Sequence, residues 1–185
     1  MKNLYLIIGR SGSGKDTIVN TLCHKYFCTK LVSYTTRQPR DEADGNNHRF
    51  TTKAEYEKAK KNNVIIAETY FDGNYYWATR EQAEKADFYI IDPRGAYELM
   101  RKTLSKPIIP IYIDVSLYNS TKRMLNRAKS KKDDATIASI IQRSYTDLME
   151  FNNEAIARLN PCYVSNDGDL CDAIRQIETI IKYTE

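Results

Sequence analysis

The run Gly9-Arg10-Ser11-Gly12-Ser13-Gly14-Lys15-Asp16-Thr17 has the spacing G-x-x-x-x-G-K, the pattern that cradles nucleotide phosphates. Its glycines let successive backbone N–H groups curl toward one point. The helix expected to start near Lys15 adds its positive end, and Lys15 brings a point charge to the β- and γ-phosphates. After the lysine a hydroxyl ordinarily reaches Mg²⁺, but here Asp16 stands there and Thr17 follows. Mg²⁺ is therefore expected at Thr17, at Asp16 directly or through water, or chiefly on the phosphates. Asp92 and Asp114, each closing an apolar run, are candidates for a second metal-directed carboxylate.

A second anion site is suggested by Ser33-Tyr34-Thr35-Thr36-Arg37-Gln38-Pro39-Arg40. Two arginines three apart, flanked by hydroxyls and fixed by a proline, make a fork for another phosphate. Four further features follow in order: Asp72-Gly73-Asn74-Tyr75-Tyr76; Asp92-Pro93-Arg94-Gly95; Arg123, Arg127 and Arg143; and Val164-Ser165-Asn166-Asp167. With these the chain resembles, over nearly its whole length, the guanylate kinase family of P-loop enzymes.

That resemblance implies transfer of the γ-phosphoryl of ATP to GMP or dGMP with Mg²⁺; a cytoplasmic place is expected separately, because the apolar run Leu4 to Ile8 is too short for a signal segment. It implies catalytic roles for Lys15, Arg37, Arg127 and Arg143. ATP would lie on Gly9, Ser11, Gly12, Ser13, Gly14, Lys15, Asp16 and Thr17, with Arg123, and with Asn166 near the adenine. Arg37 and Arg40 would grip the acceptor phosphate, helped by Tyr76 and by His48, which stands where the family usually has tyrosine. Ser33 and Asp92 would line the nucleoside pocket, with Glu42 at its rim. The family reads guanine with a glutamate and a hydroxyl at positions that here hold Ala67 and Ala78. Glu68, one residue away, would face the other side of its strand, and Trp77 is expected to add bulk beside the pocket. Two alternatives therefore remain. One is the same fold acting on another nucleoside monophosphate or a ribose bisphosphate; the other is a non-catalytic guanylate-kinase-like binding module.

These residues need a frame, and apolar runs alternating with helical patterns point to a parallel sheet with crossover helices. Strands are expected at Leu4 to Ile8, Phe88 to Ile91, Ile108 to Ile113 and Cys162 to Val164, and helices at about 94–104, 117–128, 135–158 and 169–182. The expected fold is α/β: a P-loop NTPase parallel sheet flanked by helices, with a small α+β monophosphate-binding insertion and a helical lid. The core would span 1–32, 82–122 and 159–185, the insertion 33–81 with a hairpin at Asp72-Gly73-Asn74, and the lid 123–158. Lys129, Lys131 and Lys132 crowd before Asp133 as a solvated loop or an anion cover.

With 185 residues, 42% hydrophobic and 28% charged, the chain is sized and composed as one globular domain. The 28 Lys and Arg against 24 Asp and Glu leave a net charge of +4. So small an excess identifies no nucleic-acid or membrane partner, and neither is expected. Four cysteines without CxxC spacing and only two histidines argue against a zinc site and for reduced thiols in the core.

Overall fold

In the computed structural model, which describes residues 1–39, 48–128 and 133–185, the run Leu4–Ile8 is strand β1 and is buried throughout. It is central to a five-stranded parallel sheet of order β2-β7-β1-β8-β9, the others being β2 (Lys30–Leu31), β7 (Phe88–Ile90), β8 (Ile108–Asp114) and β9 (Cys162–Ser165). Such a strand is apolar at every position because helices cover both sheet faces. Leu4, Leu6 and Ile8 pack with Ala96 and Leu99 of helix α4 (Pro93–Met100) and with Leu159. Tyr5 and Ile7 pack on the other face with Ile18, Val19 and Leu22 of α1 (Lys15–Tyr26) and with Ala173 and Ile177 of α8 (Leu170–Thr184). This is the expected α/β architecture, with each loop after a β-strand emerging at the same sheet edge.

The four cysteines are free thiols, and Cys23, Cys28 and Cys162 pack against the second of these cores while Cys171 is exposed. Among the described residues, no helix is long and apolar enough to cross a membrane.

A second sheet follows the order β4-β3-β6-β5, from β4 (His48–Phe50), β3 (Ser33–Thr35), β6 (Asn74–Thr79) and β5 (Ile65–Phe71). Its hairpin turns through Asp72 and Gly73, at φ 48 and 75, the paired positive values of a tight two-residue turn. The register puts Glu68 opposite Trp77, which lies opposite Tyr34, and puts Ala67 opposite Ala78 and Thr69 opposite Tyr76. Directly opposed residues share a face, so Tyr34, Glu68, Tyr75 and Trp77 lie on one side of the sheet. Helix α2 (Lys53–Lys61) covers that side: Tyr56 stacks on Tyr75 at 3.9 Å and meets the Trp77 ring edge-on. Trp77 is thereby turned away from the face that holds Ser33 and Tyr76. The expectation that it crowds the pocket is corrected, because the strand's two-residue period sends it to the α2 side.

The expected helix over 135–158 is two: α6 (Asp134–Glu150) and α7 (Asn153–Ala157). Asn152 breaks the run by capping α7, accepting from Ala155 N at 2.9 Å. Helix α4 also ends sooner than expected, because Lys102 N turns back to Leu99 O at 2.9 Å. Helix α3 (Arg80–Lys85) links the two sheets, and α5 (Leu117–Arg127) follows β8.

Candidate phosphoryl-transfer site

The loop Gly9 to Gly14 joins β1 to α1, and its shape depends on backbone that only glycine adopts freely. Gly12 and Gly14 have φ 76 and 88, and a Cβ on Gly12 would stand 2.4 Å from the Ser120 carbonyl oxygen. Inside the loop, Lys15 Nζ donates to Arg10 O at 2.8 Å and to Ser13 Oγ at 3.3 Å, as well as to Gly9 O. Burial pushes this ammonium down to about 8; the Asp16 and Asp147 carboxylates oppose the shift and the Arg143 and Arg127 charges add to it. A lowered lysine pKa means charge lost as pH rises through about 8. Affinity for a nucleoside triphosphate is therefore expected to fall by up to about tenfold per pH unit above 8, while Lys15→Arg, charged throughout, stays flat. Titration calorimetry from pH 7 to 9.5 checks this, and a flat wild-type profile refutes it. Stability runs the other way. The unfolded chain keeps the Lys15 proton up to about 10.4, so folding becomes more favourable between those two values.

The loop is braced from behind. Asn166, 2% exposed, donates from Nδ2 to Ser13 O at 2.7 Å, and Arg123 Nη2 donates to Asn166 O at 2.6 Å. Both side chains hold the underside of the loop. Arg10 Nη2 reaches Val115 O and lies 3.9 Å from Asp114. From α6, Arg143 donates through Nε to Ser11 Oγ at 2.6 Å, and Asp147 accepts from Ser11 N at 2.5 Å. Arg127 is exposed at the end of α5, near enough to weaken the Lys15 charge. Asp16 and Thr17 are exposed on the first turn of α1, with Asp16 Oδ1 3.4 Å from Lys30 Nζ. Among the described residues, no group of three or more His, Cys, Asp or Glu side chains is gathered for a metal.

The other cluster lies on the face of the second sheet opposite α2. Ser33 Oγ and His48 Nδ1 are 3.1 Å apart, and the His48 ring meets Tyr76 edge-on at 5.5 Å. The Arg37 guanidinium lies over Phe50 at 5.5 Å, and its Nη1 donates to Gln38 O at 2.8 Å. Ala67 and Ala78 lie on this face, 3% and 0% exposed. Glu68 lies on the other, where Tyr56 Oη and Lys60 Nζ each donate to it at 2.9 Å. Arg40 and Glu42 fall outside the described residues, as do Lys129, Lys131 and Lys132.

Asp92 ties the two halves together. Its Oδ1 accepts from Gly95 N at 2.8 Å, capping α4, and its Oδ2 accepts from Thr69 Oγ1 at 2.9 Å. Asp92→Ala is expected to cost about 2 kcal/mol through the lost cap and the orphaned hydroxyl. That corresponds to a Tm lower by about 4–8 °C at this chain length, measurable by differential scanning calorimetry.

Two participants lacked a motif, Thr69 and Asp147. Thr69 sits at the same two-residue period as Ala67, and Asp147 lies four residues after Arg143 on the same helical face.

A family model described as Guanylate kinase matches residues 1–182. The guanylate kinase of Shewanella violacea is 28% identical over 182 residues, spanning 94% of this chain and 86% of its own. That of Mannheimia succiniciproducens is 26% identical over 192 residues, spanning 98% and 91%. The crystal structure of a guanylate kinase from Anaplasma phagocytophilum matches with TM-score 0.65 at 20% identity, over 98% of this chain and 85% of that one, a likeness of fold. A phosphate loop seated between β1 and α1, in a chain matched almost end to end, places this protein in the guanylate kinase family as a nucleoside monophosphate kinase.

Proposed function

We propose that the protein transfers the γ-phosphoryl group of ATP to GMP or dGMP, forming GDP or dGDP. One observation carries the reading: a half-buried lysine inside a glycine loop, with Arg143 of α6 on the same loop. In-line phosphoryl transfer needs positioning and neutralised charge more than covalent help. ATP phosphates would take the loop amides and Lys15, with Arg127 and Arg143 closing over the terminal group. Arg37 and Arg40, with His48 and Tyr76, would hold the acceptor phosphate in line, and Ser33 would meet its nucleoside.

Asp16 and Thr17 offer the hard oxygen donors that Mg²⁺ takes, few enough to leave places for water and phosphate. They would hold the ion, which when bound would supply charge neutralisation to the phosphates.

A second reading is favoured by Ala67 and Ala78, which put methyl groups on the acceptor face: a different monophosphate acceptor in the same reaction. A site without polar partners for a base discriminates poorly between bases. A panel of GMP, dGMP, AMP, CMP, UMP and ribose bisphosphate, assayed with Mg-ATP for ADP release, separates the two. Highest kcat/KM with GMP or dGMP supports the first, and another preferred acceptor replaces it with the second.

A further inference from the structure

Asp147 is 8% exposed, and among the described residues its carboxylate accepts from the Ser11 amide, at 2.5 Å. A buried carboxylate is costly unless something compensates it, and here a phosphate-loop N–H does so. One helical turn earlier, Arg143 donates to the hydroxyl of the same Ser11 at 2.6 Å. Helix α6 therefore touches one loop residue with a cation and an anion, four positions apart.

Ser11 lies three residues before the α1 cap, Gly14; with ATP on the loop, the amides at the α1 end would face the inner phosphates and Ser11 would lie toward the terminal one. A phosphoryl oxygen and a carboxylate cannot both accept from the Ser11 N–H without bringing two anions into contact. An arriving terminal phosphoryl group attracts Arg143 and repels Asp147.

We propose that Asp147 discriminates between nucleoside tri- and diphosphate at the loop. Its carboxylate keeps the Ser11 amide when the bound nucleotide ends at the β-phosphate, and gives it up through a tilt of α6 when a γ-phosphoryl is present. The carboxylate thus weakens triphosphate binding selectively and regains the amide once the γ-phosphoryl has been transferred. This rests on the reading of the loop as the ATP site.

The test is calorimetric binding of ADP and of a non-hydrolysable ATP analogue, each with Mg²⁺, to wild type, Asp147→Asn and Asp147→Ala. Asparagine keeps an acceptor oxygen and the side-chain volume, so it isolates the charge; alanine removes the group. Both variants are expected to bind the triphosphate analogue at least about tenfold more tightly, from relief of like-charge contact, with ADP affinity changed less than about twofold. A merely structural role would move both nucleotides together. Equal shifts for the two, or no gain for the triphosphate, overturn the proposal while leaving the loop as a nucleotide site. Wild-type protein that binds neither nucleotide overturns the ATP-site reading and the proposal with it.

Discussion

Lys15→Ala is expected to lower kcat by about 10³-fold, the scale of removing a preorganised charge from a water-excluded transfer site. The side chain's whole environment argues for this. The side chain is half-buried, and its ammonium donates to Arg10 O and Ser13 Oγ, at 2.8 and 3.3 Å, within the loop itself. The protein accepts the cost of burying this charge, and an anion arriving at the loop is the partner that offsets it. Alanine removes the charge and the cost together, so folding should survive, with Tm held or raised. Steady-state kinetics with the preferred acceptor, alongside a melting curve, distinguish lost chemistry from lost structure. A variant retaining more than a tenth of wild-type kcat would sink the assignment.

Arg143→Ala is the second large effect, with kcat expected to fall by about 10²–10³-fold and KM for ATP to change by less than about fivefold. Arg143 belongs to α6 and reaches the loop through Ser11 Oγ at 2.6 Å. A group that meets charge as the phosphoryl moves stabilises the transition state more than the bound substrate, so the loss should appear in kcat. Lysine should restore little, because an ammonium lacks the guanidinium's planar fork. A rise in KM at unchanged kcat would make Arg143 an ordinary ATP-binding residue instead.

The parts of the site legible in the sequence were those whose chemistry is local. Gly9 to Lys15 could be read because adjacent residues build the loop, and its flanking strand and helix are marked by Leu4 to Ile8 and by Ile18, Val19 and Leu22. Glu68 could be assigned to the outer face from strand period alone, and its bonds to Tyr56 and Lys60 agree. Trp77 obeys the same period, yet it packs away from the pocket beside which its bulk is expected. Its surroundings depend on α2 folding over the sheet, a contact between segments some twenty residues apart. The long helix expected over 135–158 failed at Asn152, where a side-chain cap competes with the helix ladder.

The parallel core, the glycine loop and the family are legible in the chain alone, because they rest on runs of residues that bury or bind through their immediate neighbours. Which side chains meet across long separations is set by tertiary packing. Thr69 bonds Asp92, Arg123 and Asn166 brace the loop from beneath, and Asp147 takes the Ser11 amide from 136 residues away. Such pairs leave no local periodic mark, since they form by the packing of whole elements against one another.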